Sequence, residues 1–117
     1  MSRGGHAALF AASTRADVKA VVADAPAHRS PAGNPATDPR EVITGLRVPT
    51  LIFHGTADKT VPVQQTRDYE RLARDLNRPV RVEYSDGVEH MVTLQTKDRV
   101  AQAAARAHAI AFLKEHL

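Results

Sequence analysis

The 117-residue sequence has no cysteine and no tryptophan, and aromatic residues make up only 4% of it. Without cysteine there are no disulfides, no thiolate metal ligands and no cysteine nucleophile. With so few aromatics, any core must be aliphatic and alanine-rich, and there is little to stack on nucleic-acid bases. No apolar run approaches the roughly 18 residues needed to cross a bilayer. The start lacks the basic segment and apolar stretch of a signal peptide, so the expected compartment is the cytoplasm. No two histidines stand at zinc-ligand spacing, no H-E-x-x-H string occurs, and Gly4-Gly5 is too short for a phosphate loop. No metal or cofactor is therefore expected. The net charge of +3 and pI near 9.7 come from basic residues scattered among acids, which argues for a solvated surface rather than a nucleic-acid patch.

What is present is ordinary globular material, 43% hydrophobic and 25% charged, enough for one domain at most or part of one. Gly4 to Ser13 reads as a helix rich in small residues, suited to packing against a sheet. Val18 to Ala23 is a short apolar run, ended by Asp24-Ala25-Pro26, of the kind that forms a strand covered on both faces. His28 to Pro39 carries three prolines, a glycine and an asparagine and reads as an irregular loop. Glu41 to Leu46 has room for one or two helical turns. Val48 to Phe53 is the strongest strand, continuous in apolar character and left through His54-Gly55.

Gln64 to Asn77 is amphipathic, with Tyr69, Leu72, Ala73 and Leu76 on one face and Pro79 just beyond its end. Val80 to Tyr84 alternates apolar and polar, as a half-exposed strand near a sheet edge does. Thr93 to Leu117 reads as a long helix with a stripe through Val100, Ala103, Ala104, Ala107, Ile110, Ala111, Leu113 and Leu117. Helices alternating with strands imply crossover connections and a mainly parallel α/β sheet of about three strands with helices on its flanks.

Functional side chains in such sheets gather beyond the carboxyl ends of the strands. Three candidates fall there. Ser2, in Ser2-Arg3-Gly4-Gly5, opens the first helix and has glycine at +2, as in the second half of a G-x-S-x-G nucleophile elbow. Asp58 lies in the segment His54-Gly55-Thr56-Ala57-Asp58-Lys59-Thr60-Val61-Pro62, and His90 in Asp86-Gly87-Val88-Glu89-His90-Met91. A serine hydroxyl becomes nucleophilic when an imidazole takes its proton, and a carboxylate holds that imidazole in the productive tautomer. The chain order Ser, Asp, His is that of the α/β-hydrolases. Each residue also has a plainer reading. Asp58 suits a turn or cap, His90 a helix start, and His54 a structural place at a strand end. His6, His108 and His116 suit surface or helix-packing positions, and His28 falls in the loop.

Across nearly its whole length the sequence resembles the C-terminal half of an α/β-hydrolase domain, most closely that of the prolyl oligopeptidase family of serine peptidases. The resemblance rests on SRGGHAALFAA, VKAVVADAP, VPTLIFHGTADKTVPVQQT and VRVEYSDGVEHM, of which HGTADKTVP is the most specific. It implies Ser2 as nucleophile, Asp58 as triad acid, His90 as general base, and the Arg3 backbone N–H as one donor to the oxyanion hole. Dienelactone-hydrolase-like and carboxylesterase-like enzymes share this skeleton, so peptide and ester substrates both stay open.

A whole domain of this kind would also carry earlier strands, a strand leading into Ser2 and a loop giving the second oxyanion donor. The expectation is therefore a partial catalytic domain over residues 1–117, a truncated or mis-started reading frame, marginally stable and nearly inactive by itself. The Val18–Ala23 strand would offer an unpaired sheet edge through which a second copy or another protein pairs. Two other readings remain at this stage. One is a non-catalytic interaction module derived from a hydrolase. The other is an N-terminal-nucleophile hydrolase in which the Ser2 amine serves as base.

Overall fold

A computed structural model of the chain describes residues 8–9, 11–15, 17–26, 43–90, 92 and 97–116. The described residues form a three-stranded, wholly parallel sheet in the order β1-β2-β3. Strand β1 is Val21–Asp24, β2 is Thr50–Gly55 and β3 is Val80–Ser85. Helix α1, Val63–Asp75, crosses from β2 to β3, and helix α2, Arg99–His116, follows β3. Residues 8–9 and 11–14 are helical, and Ile43–Gly45 forms a single 3-10 turn before β2. The loop expected over His28 to Pro39 lies outside the described residues.

The central strand is the anchor, as its unbroken apolar sequence requires, and every residue of β2 is buried. Both β1 and β2 start later than expected. The first rung of the sheet is the Val21 N–H donating to the Pro49 carbonyl at 3.0 Å. Pro49 has no N–H of its own to extend the ladder backwards. Pairing then runs Val21 with Thr50 through Asp24 with Phe53, and Thr50 with Val80 through Gly55 with Ser85.

Because side chains alternate across a strand, the two faces have separate cores. Ile52 joins Val21, Ala23, Leu9, Ile43, Leu46, Tyr69 and Ala73 on the α1 face. Leu51 and Phe53 join Val88, Val92, Ala105 and Phe112 on the α2 face.

The two helices are specified differently. Helix α1 begins directly after Pro62 and buries Thr66, Tyr69 and Ala73 on one face, close to the expected stripe. It ends in a Schellman motif: the Arg78 N–H donates to the Ala73 carbonyl and the Asn77 N–H to that of Arg74, with Asn77 at φ +55°.

Helix α2 departs from expectation at its start and on its buried face. It starts at Arg99 rather than Thr93, because the Asp98 carboxylate caps it by accepting the Ala101 N–H at 3.0 Å. The expected stripe is largely on the solvent side, with Val100 81% and Ile110 55% exposed. The buried line is Ala105 and Phe112, flanked by Ala101 and Ala109. Alanine on nearly every side makes two stripes equivalent in hydropathy, and Phe112, the one large ring, decides which faces the sheet. Among the described residues, no helix is long and apolar enough to cross a membrane.

Candidate active site

The polar side chains that matter lie at the carboxyl ends of the three strands, where two adjacent loops meet. One loop follows β2 and carries Asp58. The other follows β3 and carries His90. Backbone bonds stitch them together: the Thr56 N–H donates to the Ser85 carbonyl and the Ala57 N–H to the Val88 carbonyl, each at 3.0 Å. The Thr56 hydroxyl donates to Asp86 Oδ1 at 3.1 Å and accepts the Gly87 N–H at 2.7 Å.

Gly55 makes this close approach possible. A Cβ at this position would fall inside the Val88 carbonyl group and only 2.7 Å from the Glu89 carbonyl oxygen. Glycine alone lets the His90 loop lie directly on the end of β2.

Asp58 performs two tasks with its two oxygens. Oδ1 accepts the backbone N–H groups of Thr60 and Val61, both at 2.8 Å, and so builds the turn leading into Pro62. Oδ2 accepts a hydrogen bond from His90 Nδ1 at 2.6 Å. The Asp58 side chain is wholly shielded from solvent, whereas that of His90 is 14% exposed. The turn-former and the imidazole partner are thus the same residue. In neutral imidazole one ring nitrogen donates and the other accepts. With Nδ1 donating to Asp58, Nε2 of His90 is left as the basic nitrogen, able to take a proton from a hydroxyl.

His54 is completely buried at the end of β2, on the α1 face. Its Nε2 lies 2.7 Å from the Val61 carbonyl oxygen, and its Nδ1 lies 2.7 Å from Thr66 Oγ1 of α1. A carbonyl only accepts, so Nε2 carries the proton and Nδ1 accepts from the threonine hydroxyl. The same Nε2 stands 3.4 Å from Asp58 Oδ2. Burial holds the His54 pKa below its ordinary value of 6.5. The Val61 carbonyl and the Asp58 and Asp24 carboxylates oppose that effect, and His90 adds to it.

Asp24, at the end of β1, has no role in the sequence reading beyond closing a strand. It is 3% exposed, and its Oδ1 accepts the N–H of Val92, two residues after His90, at 3.0 Å. The next residue, Ala25, is fully buried with φ +48°, a left-handed conformation that alanine rarely takes. Glu89 also secures the His90 loop, accepting the Lys97 N–H at 2.8 Å. A carboxylate at the end of a buried apolar strand was the available signal for Asp24. Thr66 gave none, being a threonine on an otherwise apolar helix face.

The structure therefore brings together Asp58 and His90 from loops 32 residues apart in sequence. Ser2 and the Arg3 N–H, the expected nucleophile and oxyanion donor, lie outside the described residues. Of the other histidines, His108 donates to Glu83 at 2.7 Å on the exposed α2 side, and His116 packs its ring 4.6 Å from that of Phe112.

The sequence matches the model of a family described as the dienelactone hydrolase family over residues 1–117. Among curated proteins none matches it. Solved structures share its fold. Esterase 2 of Thermogutta terrifontis, solved phosphoramylated by tabun, superimposes with a TM-score of 0.78 at 23% identity, covering 97% of this chain and 52% of the esterase. The same esterase has been solved phosphorylated by paraoxon. A Bacteroides ovatus protein assigned as a dipeptidyl aminopeptidase IV gives a TM-score of 0.82 at 18% identity, over 99% of this chain and 18% of that one. A Klebsiella pneumoniae protein assigned as a dienelactone hydrolase gives 0.82 at 16% identity, over 96% and 48%. The chain thus spans about half the length of the esterase it resembles.

Proposed function

The chain belongs to the dienelactone hydrolase family, and on that premise we propose that it is the catalytic part of a serine hydrolase working by acyl transfer. The observation that carries this reading is the 2.6 Å bond from His90 Nδ1 to a buried Asp58 already fixed by two backbone amides. In the proposed cycle His90 Nε2 takes the hydroxyl proton of Ser2 as Oγ bonds to the substrate carbonyl carbon. The Arg3 N–H stabilises the oxyanion that forms. His90 then returns the proton to the leaving group as the bond to it breaks, giving the acyl-Ser2 ester. Water, activated by the same imidazole, releases the acid and restores Ser2. Asp58 keeps the proton on Nδ1 and stabilises the imidazolium.

Esters are the favoured substrates, because the family and the Thermogutta structure both point to ester chemistry. Peptide cleavage of the prolyl oligopeptidase type is the second reading, favoured by the HGTADKTVP motif and the aminopeptidase-like fold neighbour.

The test is labelling by a fluorophosphonate probe or paraoxon of the chain within its complete open reading frame, with the adduct mapped by mass spectrometry. The adduct is expected on Ser2 and is expected to vanish in Ser2→Ala and His90→Ala. Labelling that persists in Ser2→Ala would place the nucleophile elsewhere. Comparing p-nitrophenyl esters with peptide p-nitroanilides on the same protein separates the two substrate readings.

A further inference from the structure

We propose that His54 is a positioning residue for the Asp58–His90 pair, acting through the Val61 peptide group. This rests on the serine hydrolase reading above for its consequence in turnover, though its geometry stands independently. The path is continuous. Thr66 Oγ1 donates to His54 Nδ1 at 2.7 Å, and His54 Nε2 donates to the Val61 carbonyl at 2.7 Å. The N–H of that same Val61 donates to Asp58 Oδ1 at 2.8 Å, and Asp58 Oδ2 receives His90 Nδ1 at 2.6 Å.

The Val61 residue is thus gripped at both polar atoms, by His54 on one side and Asp58 on the other. The Val61 carbonyl, which can only accept, fixes the tautomer, and the Thr66 hydroxyl adapts to it and holds the opposite ring nitrogen in place. Were the His54 proton on Nδ1 instead, two lone pairs would face each other across 2.7 Å, and the turn presenting Asp58 would open. His54 Nε2 also stands 3.4 Å from Asp58 Oδ2, so the imidazole lies beside the carboxylate it helps to hold without replacing His90 as its partner.

The surroundings keep His54 in this single state. It is completely buried, held at the end of a strand whose every residue is buried, and anchored from α1 by a threonine that is itself 0% exposed. The charged groups acting on it are the Asp58 and Asp24 carboxylates and His90. A neutral, non-titrating imidazole is the chemistry this role needs, since a second proton on the ring would remove its acceptor for Thr66.

The test is a histidine 15N NMR titration from pH 5 to 8, followed by the same spectra of Thr66→Val and Thr66→Ser. His54 is expected to show the Nε2–H tautomer throughout without titrating, and His90 to show a strongly downfield Nδ1–H proton. Thr66→Val should loosen the His54 ring and broaden its Nε2–H signal, weaken or shift the His90 resonance, and lower kcat roughly 10-fold with KM unchanged, the effect of slight misplacement of a catalytic group. Thr66→Ser, which restores the hydroxyl, should recover all three. A His54 ring that titrates or carries its proton on Nδ1 overturns the proposal, even if Thr66→Val does not fold. So does an unchanged His90 resonance in a folded Thr66→Val. If instead the spectra match and Ser2 takes no fluorophosphonate, the nucleophile assignment fails and the positioning role stands.

Discussion

The two loops that meet at the site are built on different principles. The Asp58 loop is largely self-supporting: its own carboxylate accepts the amides of Thr60 and Val61, and His54 holds the next carbonyl from beneath. The His90 loop depends on distant residues. Asp24 from β1 holds Val92, Gly55 of β2 provides the space, and Glu89 closes back on Lys97. Asp58, the proposed acid, is therefore preorganised by local sequence, whereas His90, the proposed base, is placed by the assembled sheet. Damage far from His90 in sequence should reach His90 before it reaches Asp58.

Three changes sharpen that contrast. Gly55→Ala should have the largest structural effect, because the new methyl meets backbone carbonyls of the His90 loop rather than a mobile side chain. A loss toward the upper end of about 1–3 kcal/mol in denaturant unfolding is expected, with His90 amide shifts moving more than those of Thr60 and Val61. Equal movement in both loops would remove the distinction.

Asp24→Ala should come next, leaving the buried Val92 N–H without this acceptor at a cost toward the lower end of about 1–3 kcal/mol. Asp24→Asn, which keeps an acceptor oxygen, should be milder. Hydrogen exchange at Val92 is the measurement that checks this, and unchanged protection in Asp24→Ala would contradict it.

The smallest effect is graded and belongs to the acid side. The His54 pKa is lowered on folding, so the unfolded chain binds the extra proton more readily. Its stabilising contribution is complete above the ordinary value of 6.5 and declines as pH falls below it. The thermal midpoint should drop from pH 7.5 to pH 5, and part of that slope should disappear in His54→Gln. An identical slope in the variant would assign it to other groups.

How much the sequence disclosed follows the same division. Strand β2 and helix α1 were legible because their apolar patterns admit one solution and Pro62 and Pro79 bracket the helix, although β2 starts at Thr50 rather than Val48. Helix α2 was misread because alanine surrounds it, so periodicity could not choose between the Val100–Ile110 side and the Phe112 side. The meeting of Asp58 with His90 could be expected because each follows a strand in a recognisable turn. Asp24 offered only its place at the end of an apolar strand and Thr66 nothing, since their importance lies in contacts spanning 68 and 12 residues of sequence respectively.

The central claim is that one carboxylate builds its own turn through Oδ1 and orients the base through Oδ2. Asp58→Asn separates these tasks most directly. The amide oxygen can still accept the Thr60 and Val61 N–H groups, while its NH2 faces His90 Nδ1 and forces the ring into the wrong tautomer. Measured on the same protein, stability should change by less than about 1 kcal/mol, since both turn hydrogen bonds survive. Ester turnover should fall roughly 10⁴-fold in kcat. Full turnover, or a loss of activity matched by collapse of the turn, would contradict the account.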